Sequence, residues 1–574
     1  MLQPGNPFPI QVIKPMMKEF SGTLCNFYIV ALTVLLPLYT RGTYVMLGDD
    51  KYALFYNISL LCLGLGAVTM LAGWLTKTVE MLQTVGGKGW PRRKTLSGKR
   101  GIRAVMSGLS FSPTDICVFF YGLVAVVSAL FSSYGAAAWT GYQDWHMGAI
   151  SQLLFVCIYF FVSRRYQGSP WPVYLWETAF FMVIVLGFCS RLGYDPLRLL
   201  EEFNSGDWEY SHLISTIGNI NWFCGYCAVA LAMPVTGYLK GNNTTKCRIL
   251  FFVNVLGLLL LIVNGSDTGP VLAAVCLGIC LLWSRRNAER FRRTLLLISG
   301  VALGLPCYGG LVKILGEAAV KAQPADGPGL SVFEWGGWWL VGIVCIGLYI
   351  LIGRLADAKG VGRHGIANVD EKKNTSRRII DDKARKKITG VTKQEAMVNS
   401  LWLGMMLLAL LAALAGSVWY LSGLSGSAAW ISGRGALWQL SWQGFLRGDW
   451  KQKLLGAGPD CFAQYIYSTF TPAELPTVEG YWAQATFANA HNQWLNHLVN
   501  TGLLGLTCVL AIFSAALKRY RGYLPGILAL AMYGANSLVS FQQVLSTPLF
   551  FLMLGICEYT VRQEKCEWRK AYKN

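Results

Sequence analysis

The sequence predicts an all-α protein that crosses a membrane about fourteen times, and three observations support this fold class. Of its 574 residues, 54% are hydrophobic and only 14% are charged, whereas a soluble protein carries about 25% charged residues. The apolar residues form blocks close to the roughly 20 residues that a helix needs to cross the hydrocarbon. The basic residues collect between these blocks. The composition excludes intrinsic disorder, a collagen repeat and a secreted disulfide scaffold.

The apolar blocks are predicted to be helices, because backbone groups inside hydrocarbon must be satisfied within the segment. Lys14 and Lys18 precede a first block of full spanning length, so we expect no cleavable signal peptide. In chain order the predicted spans are 24–40, 53–76, 113–132, 148–163, 173–190, 220–239, 249–264, 270–284, 294–312, 335–352, 399–421, 494–516, 523–540 and 545–559.

The net charge of +20 is explained by the topology of these spans. With a cytoplasmic N-terminus, 40 of the 50 Lys and Arg residues lie in segments on the cytoplasmic side, in agreement with the positive-inside rule. The same arrangement puts both termini in the cytoplasm. We therefore expect contact with anionic membrane lipid and no nucleic-acid partner.

The polar stretches divide the chain into three parts. Residues 1–421 form an N-terminal bundle of eleven spans, with basic cytoplasmic loops at 77–112 and 353–398. The second of these loops mixes acids and bases and is predicted to be a short solvated helix or a disordered insert. Residues 422–493 form a long extracytoplasmic loop, and residues 494–574 contain the last three spans and a basic cytoplasmic tail.

The long loop is rich in aromatic residues. Trp438 and Trp442 are four residues apart, so they share one face of a helix, close to Leu437 and Leu440. This pattern predicts an amphipathic helix near 433–447 in the membrane interface. A loop with such an apolar face is expected to fold back onto the bundle, and long ordered loops are usually functional.

Several kinds of chemistry are disfavoured by the sequence. It contains no P-loop, no GxGxxG, no HExxH and no GxSxG motif. The ionisable residues Asp115, Glu177 and Asp267 lie near span ends, which disfavours an ion-coupled transporter. The CxxC pair Cys224 and Cys227 lies inside a span and is predicted to be structural. We expect no cofactor and no bound metal, because acids and histidines with ligand spacing do not cluster in the outside segments.

An ordered series of motifs occupies the C-terminal part of the chain. Its members are Ser432-Gly-Arg-Gly-Ala-Leu-Trp438, Leu455-Gly-Ala-Gly-Pro-Asp-Cys-Phe462, Ala490-His-Asn-Gln-Trp-Leu495 and Thr501-Gly-Leu-Leu-Gly505. This series resembles the C-terminal region of the O-antigen ligase and O-antigen polymerase superfamily. Upstream, Ser215-Thr-Ile-Gly-Asn-Ile-Asn221 resembles the Gly-Asn-x-Asn entry to a span in that family. The resemblance covers roughly residues 190–560.

The resemblance implies a membrane glycosyltransferase with a mostly helical fold of the C type. Such enzymes act in cell-surface polysaccharide biosynthesis, at the outer face of the bacterial cytoplasmic (inner) membrane. They move a glycan from a polyprenyl-diphosphate carrier to a hydroxyl of a lipid- or glycan-linked acceptor. The lipid diphosphate is the leaving group, which agrees with the missing nucleotide motifs. Ligases and polymerases share these motifs, so the resemblance does not separate them.

Two other classes of function remain open. The chain could be a transporter or flippase that moves lipid-linked oligosaccharide across the membrane. It could also be a membrane scaffold without catalytic activity. A glycosyltransferase is distinguished from both by the formation of a new glycosidic bond in purified protein.

Two catalytic residues are implied by the resemblance. Arg434 is the Arg of the family's Gly-Arg pair, and a guanidinium can neutralise a diphosphate through two parallel hydrogen bonds; the alternative is snorkelling to the interface. His491 matches the family's His and has a pKa suited to accepting the acceptor's proton; the alternative is a structural role at a helix entry. Asn492 is predicted to orient a sugar or to cap the helix. His497, about 240° further round a helix, is predicted to be structural.

The chain departs from the family at one turn. Many members carry Ser-Arg-Gly before the eighth span, where this chain has Gly265-Ser-Asp-Thr-Gly269. We expect Arg191, Arg198 or Lys313 to supply the second phosphate contact.

Three more residues complete the predicted substrate-binding set. Asp267 is predicted to cap its helix, to pair with Arg434 or to assist as a base. Asn219 and Asn221, from the Gly-Asn-x-Asn motif, are the other two.

Overall fold

A computed structural model describes residues 8–86, 111–324, 329–360, 434–475 and 486–571. Within these ranges the chain is mainly helical, and its strands form a single two-stranded hairpin. Nine of the described helices are long and apolar enough to cross a membrane. The predicted class, an all-α membrane protein, is confirmed at this level.

The N-terminal half consists of long helices that are joined by short helices and one hairpin. A π-helical turn, Ala31–Leu35, follows the first helix, and a 3₁₀ turn, Tyr44–Met46, precedes the third. In chain order the elements are α1 (Phe8–Val30), α2 (Leu36–Leu38), α3 (Leu47–Gly86), α4 (Pro113–Phe131), α5 (Ala136–Thr140), α6 (Ala149–Arg165), α7 (Trp171–Arg191), α8 (Trp208–His212), β1 (Leu213–Ile214), β2 (Gly218–Asn219), α9 (Ile220–Ala230), α10 (Ala232–Lys240), α11 (Thr244–Val263) and α12 (Thr268–Ser284).

The C-terminal half continues with helices alone in the described residues. They are α13 (Ala288–Leu315), α14 (Glu317–Lys321), α15 (Leu330–Phe333), α16 (Gly337–Gly360), α17 (Arg434–Arg447), α18 (Trp450–Leu455), α19 (Phe462–Thr469), α20 (Gln493–Asn500), α21 (Gly502–Tyr520), α22 (Leu524–Asn536) and α23 (Thr547–Ala571).

The nine helices that qualify as spans correspond to nine of the fourteen predicted blocks. The blocks 270–284 and 523–540 are the shorter apolar helices α12 and α22. Block 148–163 is the 17-residue helix α6, and block 545–559 begins the more charged helix α23. Block 399–421 lies outside the described residues. For these five blocks a membrane crossing stays a prediction.

The chain divides into two compact units that interleave along the sequence. Unit 1 comprises Met1–Ala179, Ala436–Gly526 and Ser537–Asn574, and unit 2 comprises Phe180–Gly435 and Ile527–Asn536. The predicted division into 1–421, 422–493 and 494–574 concerns position relative to the membrane, and it stays a prediction. The basic loops 77–112 and 353–398 lie mostly outside the described residues.

The core of unit 1 is built from α4, α6, α21 and α23. Helix α23 packs along α6, and α21 packs along α4. At one end, Arg562 of α23 donates to the buried carboxylates of Asp115 and Glu558, and Arg519 of α21 donates to Glu558 at 2.7 Å. The predicted topology also puts these helix ends on one side of the membrane.

At the other end of unit 1, the described part of the long loop folds back onto the helices. Helix α17 covers the residues for which an amphipathic helix is predicted. Leu437 and Leu440 are buried in it, Trp438 is partly buried and Trp442 is half exposed. The cluster buried here consists of Ala129, Ala138, Ala149, Leu437, Leu440, Ala457, Cys461, Phe462, Tyr465, Ile466, Phe470, Phe487, Ala490 and Val499.

Unit 2 is a helical bundle that also contains the hairpin. Helix α13 packs against α11, α12 and α16. Strands β1 and β2 pair antiparallel, with Leu213 opposite Asn219. Gly269 at the start of α12 lets α11 and α12 approach closely, since a Cβ there would lie 1.8 Å from the Leu261 carbonyl oxygen. This fixes the turn that precedes α12.

Candidate functional site

His491 lies just before helix α20, in unit 1. Its φ of +44° is in the left-handed region, which is unfavourable for a residue with a Cβ. Its ring meets the Phe541 ring edge-on, with 5.1 Å between the centroids. The predicted angle of about 240° between His491 and His497 assumes that both residues lie on one helix. Helix α20 begins at Gln493, so His491 lies outside it and this angle does not apply. A strained backbone at a half-buried histidine is typical of a functional position.

Asn492 is the N-cap of α20. Its side-chain oxygen accepts hydrogen bonds from the backbone N–H of Trp494 at 3.0 Å and of Leu495 at 3.1 Å. Its side-chain nitrogen donates to the Leu538 carbonyl at 2.9 Å. The capping alternative is therefore the one observed.

His497 is buried on the same helix and lines a small polar cavity. The cavity measures about 20 Å³, enough for one water molecule. Among the described residues, the Nε2 atom of His497 has no hydrogen-bond partner. Polar side chains make up much of the lining, including those of Tyr121, Gln152, Asp460, Asn500 and Gln542. His497 thus belongs to a buried polar cluster, and its structural role stays a prediction.

Asp460 is the acid of this cluster and follows the Gly-x-Gly turn. Its carboxylate is buried and accepts hydrogen bonds from the backbone N–H groups of Tyr142 and Met147, both at 2.8 Å. The carboxylate therefore ties the loop after α18 to the segment between α5 and α6. Sequence reasoning did not select Asp460 for this role; a Pro-Asp pair directly after a glycine turn is the signal that could have found it.

The glycines of the motifs explain how this loop docks. The N–H of Ala457 donates to the Val499 carbonyl and the N–H of Gly458 donates to the Asn500 carbonyl, both at 2.9 Å. Gly456 has a φ of +78°, and a Cβ there would lie 2.3 Å from the backbone of Asn500. Only glycine allows the loop to pair with the end of α20.

The buried Asp460 should make stability depend on pH. Burial raises the pKa of Asp460 from 3.8 to about 7. Its contribution to the free energy of unfolding is therefore fully present below pH 3.8 and is lost as the pH rises through 7. The difference amounts to about 4 kcal/mol at 1.36 kcal/mol per pH unit.

A substitution at Asp460 should remove this pH dependence. Asp460→Asn cannot titrate, so the stabilisation that the wild type gains on acidification from pH 7 to 4 should be missing from the variant. Thermal unfolding of both purified proteins at a series of pH values measures the difference in melting temperature. A variant whose pH profile runs parallel to that of the wild type would show that Asp460 does not titrate as described.

In unit 2, the Asn219 and Asn221 motif lies against the turn before α12. The Asn219 side chain caps α9 by accepting the Asn221 N–H at 2.8 Å. The Asn221 side-chain oxygen accepts from the Ser266 hydroxyl at 2.7 Å, and the Ser266 N–H donates to Asn264 at 2.7 Å. Both predicted asparagines therefore help to build one polar turn cluster.

Arg434 and Asp267 belong to the same part of unit 2. Both act electrostatically on the thiol of Cys224, which also accepts a hydrogen bond from Asn264 at 3.4 Å. Arg434 is the first residue of α17 and is buried, whereas Asp267 is exposed. Asp267 occupies the N-cap position of α12, but its side chain makes no capping hydrogen bond there. The capping interpretation of Asp267 is wrong.

The three basic residues predicted as the second phosphate contact differ in their burial and in their partners. Arg191 is completely buried, and it donates to the carbonyls of Ser211 at 2.7 Å and Leu213 at 3.2 Å. It secures the hairpin of unit 2, so the prediction that it contacts phosphate is wrong. Arg198 and Lys313 are mainly exposed, and they pair with Glu201 and Glu334, at 3.6 and 2.7 Å.

The described residues contain no group of three or more His, Cys, Asp or Glu side chains that could hold a metal ion. Metal independence stays a prediction.

Compared with known proteins, the chain matches no family model and no curated protein sequence. The resemblance to the O-antigen ligase superfamily accordingly rests on the motifs themselves.

Proposed function

We propose that this chain is a glycosyltransferase of the O-antigen ligase or polymerase type. It transfers a glycan from a polyprenyl-diphosphate carrier to an acceptor hydroxyl at the outer face of the bacterial cytoplasmic membrane, with both termini in the cytoplasm. The observation that carries the proposal is the convergence of Arg434, Asp267, Asn219 and Asn221. These residues are widely separated in sequence. Nevertheless, Asn221, which Asn219 caps, hydrogen-bonds to the turn that carries Asp267, and Arg434 and Asp267 both act electrostatically on Cys224.

Donor binding is assigned to Arg434. As the glycosidic bond breaks, negative charge develops on the diphosphate oxygen, and a guanidinium can meet it through two charge-assisted hydrogen bonds. Its burial supports this role, because a charge acts more strongly when water is excluded. Asp267 balances the charge of Arg434 before the donor binds. Arg198 and Lys313 are exposed in the same unit and are the candidates for the second phosphate contact.

Proton acceptance is assigned to His491. The acceptor oxygen forms a bond to the anomeric carbon while the bond from that carbon to the diphosphate oxygen breaks. The hydroxyl proton passes to the imidazole and later to solvent, and the polyprenyl diphosphate leaves as an anion. The capped helix and the Phe541 ring support this role, because they hold the imidazole in one place.

Activity of the purified protein tests the proposal against the alternatives. The protein in lipid nanodiscs is mixed with a polyprenyl-diphosphate-linked oligosaccharide and a glycan acceptor, in buffer containing EDTA. We expect a new glycosidic bond in the product by mass spectrometry, because the guanidinium replaces a metal at the diphosphate. A flippase would move the donor across liposomes without forming that bond, and a scaffold would do neither. Loss of transfer in EDTA, restored by magnesium or manganese, would contradict metal independence alone.

A further inference from the structure

A strained turn in unit 1 carries His146, which has a left-handed backbone as His491 does. The turn is residues 141–148, between α5 and α6, and we call it the 141–148 turn. Asp144 and His146 have φ values of +72° and +53°, both in the left-handed region. The Asp460 carboxylate closes the turn by accepting the N–H groups of Tyr142 and Met147. The fold thus holds His146 in a conformation that it would not adopt alone.

His146 is paired with a carboxylate. Its Nε2 atom lies 2.8 Å from Oδ1 of Asp49, which is in the first turn of α3. The ring of Tyr52 stacks on the imidazole, with 4.3 Å between centroids and 15° between planes. Because Asp49 accepts the Nε2 proton, Nδ1 is the ring atom that can meet a ligand, as an acceptor in the neutral imidazole and as a donor in the imidazolium. The side chain of His146 is 26% exposed, so a ligand can reach it.

The 141–148 turn adjoins the candidate proton acceptor. The Trp145 ring meets the Phe541 ring edge-on at 4.6 Å, and His491 contacts the same Phe541 ring at 5.1 Å. One phenyl ring therefore separates the turn from His491. Asp49 and Asp144 make this surface unfavourable for a phosphate, whereas a sugar hydroxyl can donate to an imidazole or a carboxylate.

We propose that the 141–148 turn binds the sugar of the acceptor. His146 hydrogen-bonds a sugar hydroxyl through Nδ1, and Trp145 covers the apolar face of the sugar ring. Asp49 is a positioning residue that fixes the orientation of the His146 ring. The identification of this sugar as the acceptor rests on the proposed function, whereas the sugar site itself does not.

Chemical modification of His146 tests the site without turnover. The full-length protein in lipid nanodiscs, free of glycoside detergents, is treated with diethyl pyrocarbonate in the presence of maltose, lactose or chitobiose, or of glycerol as the control. Mass spectrometry gives the modification rate of each histidine. We expect at least one disaccharide to slow the modification of His146 several-fold more than glycerol does. Equal rates with all three disaccharides and glycerol would overturn the proposal.

Variants of neighbouring carboxylates test the role of Asp49. Asp49→Asn should abolish the protection of His146, and Asp50→Asn, the next residue of the same helix, should preserve it. In the transfer assay, Asp49→Asn should raise the acceptor KM several-fold and leave kcat and the donor KM unchanged. Protection in Asp49→Asn equal to that in the wild type, or a fall in kcat alone, would contradict the positioning role. Transfer without protection defeats only this inference; protection without transfer defeats only the proposed function.

Discussion

Replacing His491 by alanine should lower the turnover of glycan transfer by roughly 10²–10⁴-fold, the usual contribution of a general base. The affinity for the donor should stay close to normal, because His491 is assigned to the acceptor hydroxyl. Steady-state kinetics at saturating donor and acceptor give the turnover, and binding of the lipid-linked donor gives the affinity. A loss in kcat with unchanged donor binding identifies an interaction made in the transition state.

The left-handed backbone at His491 calls for a second variant. At a φ of +44°, alanine keeps the strain of the wild type, whereas glycine relieves it. His491→Gly should therefore fold at least as well as His491→Ala and lose as much turnover, if the imidazole does the chemistry. His497→Gln, on the same segment, should change stability and leave the turnover of the folded enzyme nearly intact. A folded His491→Ala enzyme with near-normal turnover would remove His491 from catalysis, and Asp267 would be the next residue to test.

Nine long apolar helices among the described residues were predictable from the sequence, and the polar clusters were not. Long apolar blocks determine spanning helices by their own composition, because hydrocarbon allows few alternatives. The pairing of His146 with Asp49 joins residues 97 positions apart, and no local pattern indicates it. The same is true of Asp460, whose partners lie more than 300 positions away. Such contacts follow from tertiary packing.

The wrong predictions for Arg191 and Asp267 have the same origin. An arginine after a span gives the same pattern whether it binds a ligand or secures backbone carbonyls, so Arg191 could not be assigned from the sequence alone. An acid before a helix is usually a cap, but the side chain of Asp267 does not cap α12. In both cases the deciding fact is the direction of the side chain. The capping alternative for Asn492 is the one observed, because an N-cap is a local arrangement that a short sequence encodes.

Replacing Arg434 by lysine should weaken donor binding and turnover by roughly 10- to 150-fold, although the charge is retained. A lysine ammonium cannot form the two parallel hydrogen bonds of a guanidinium, and one charge-assisted hydrogen bond is worth about 1.5–3 kcal/mol. Arg434→Ala should lose more, because it also removes the charge. Donor binding and steady-state transfer measure both effects.

Arg447 provides the matched control, because it is the last residue of the helix that Arg434 begins. It is exposed and forms an ion pair with Glu474 at 2.8 Å, and exposed pairs contribute little to stability. Arg447→Lys should therefore leave donor binding and transfer unchanged, while it makes the same change in hydrogen-bonding geometry. If Arg434→Lys binds donor and turns over like Arg447→Lys, the guanidinium fork is not needed, and Arg434 acts at most as a point charge. If both variants lose activity equally, the loss belongs to α17 as a structural element and not to donor binding by Arg434.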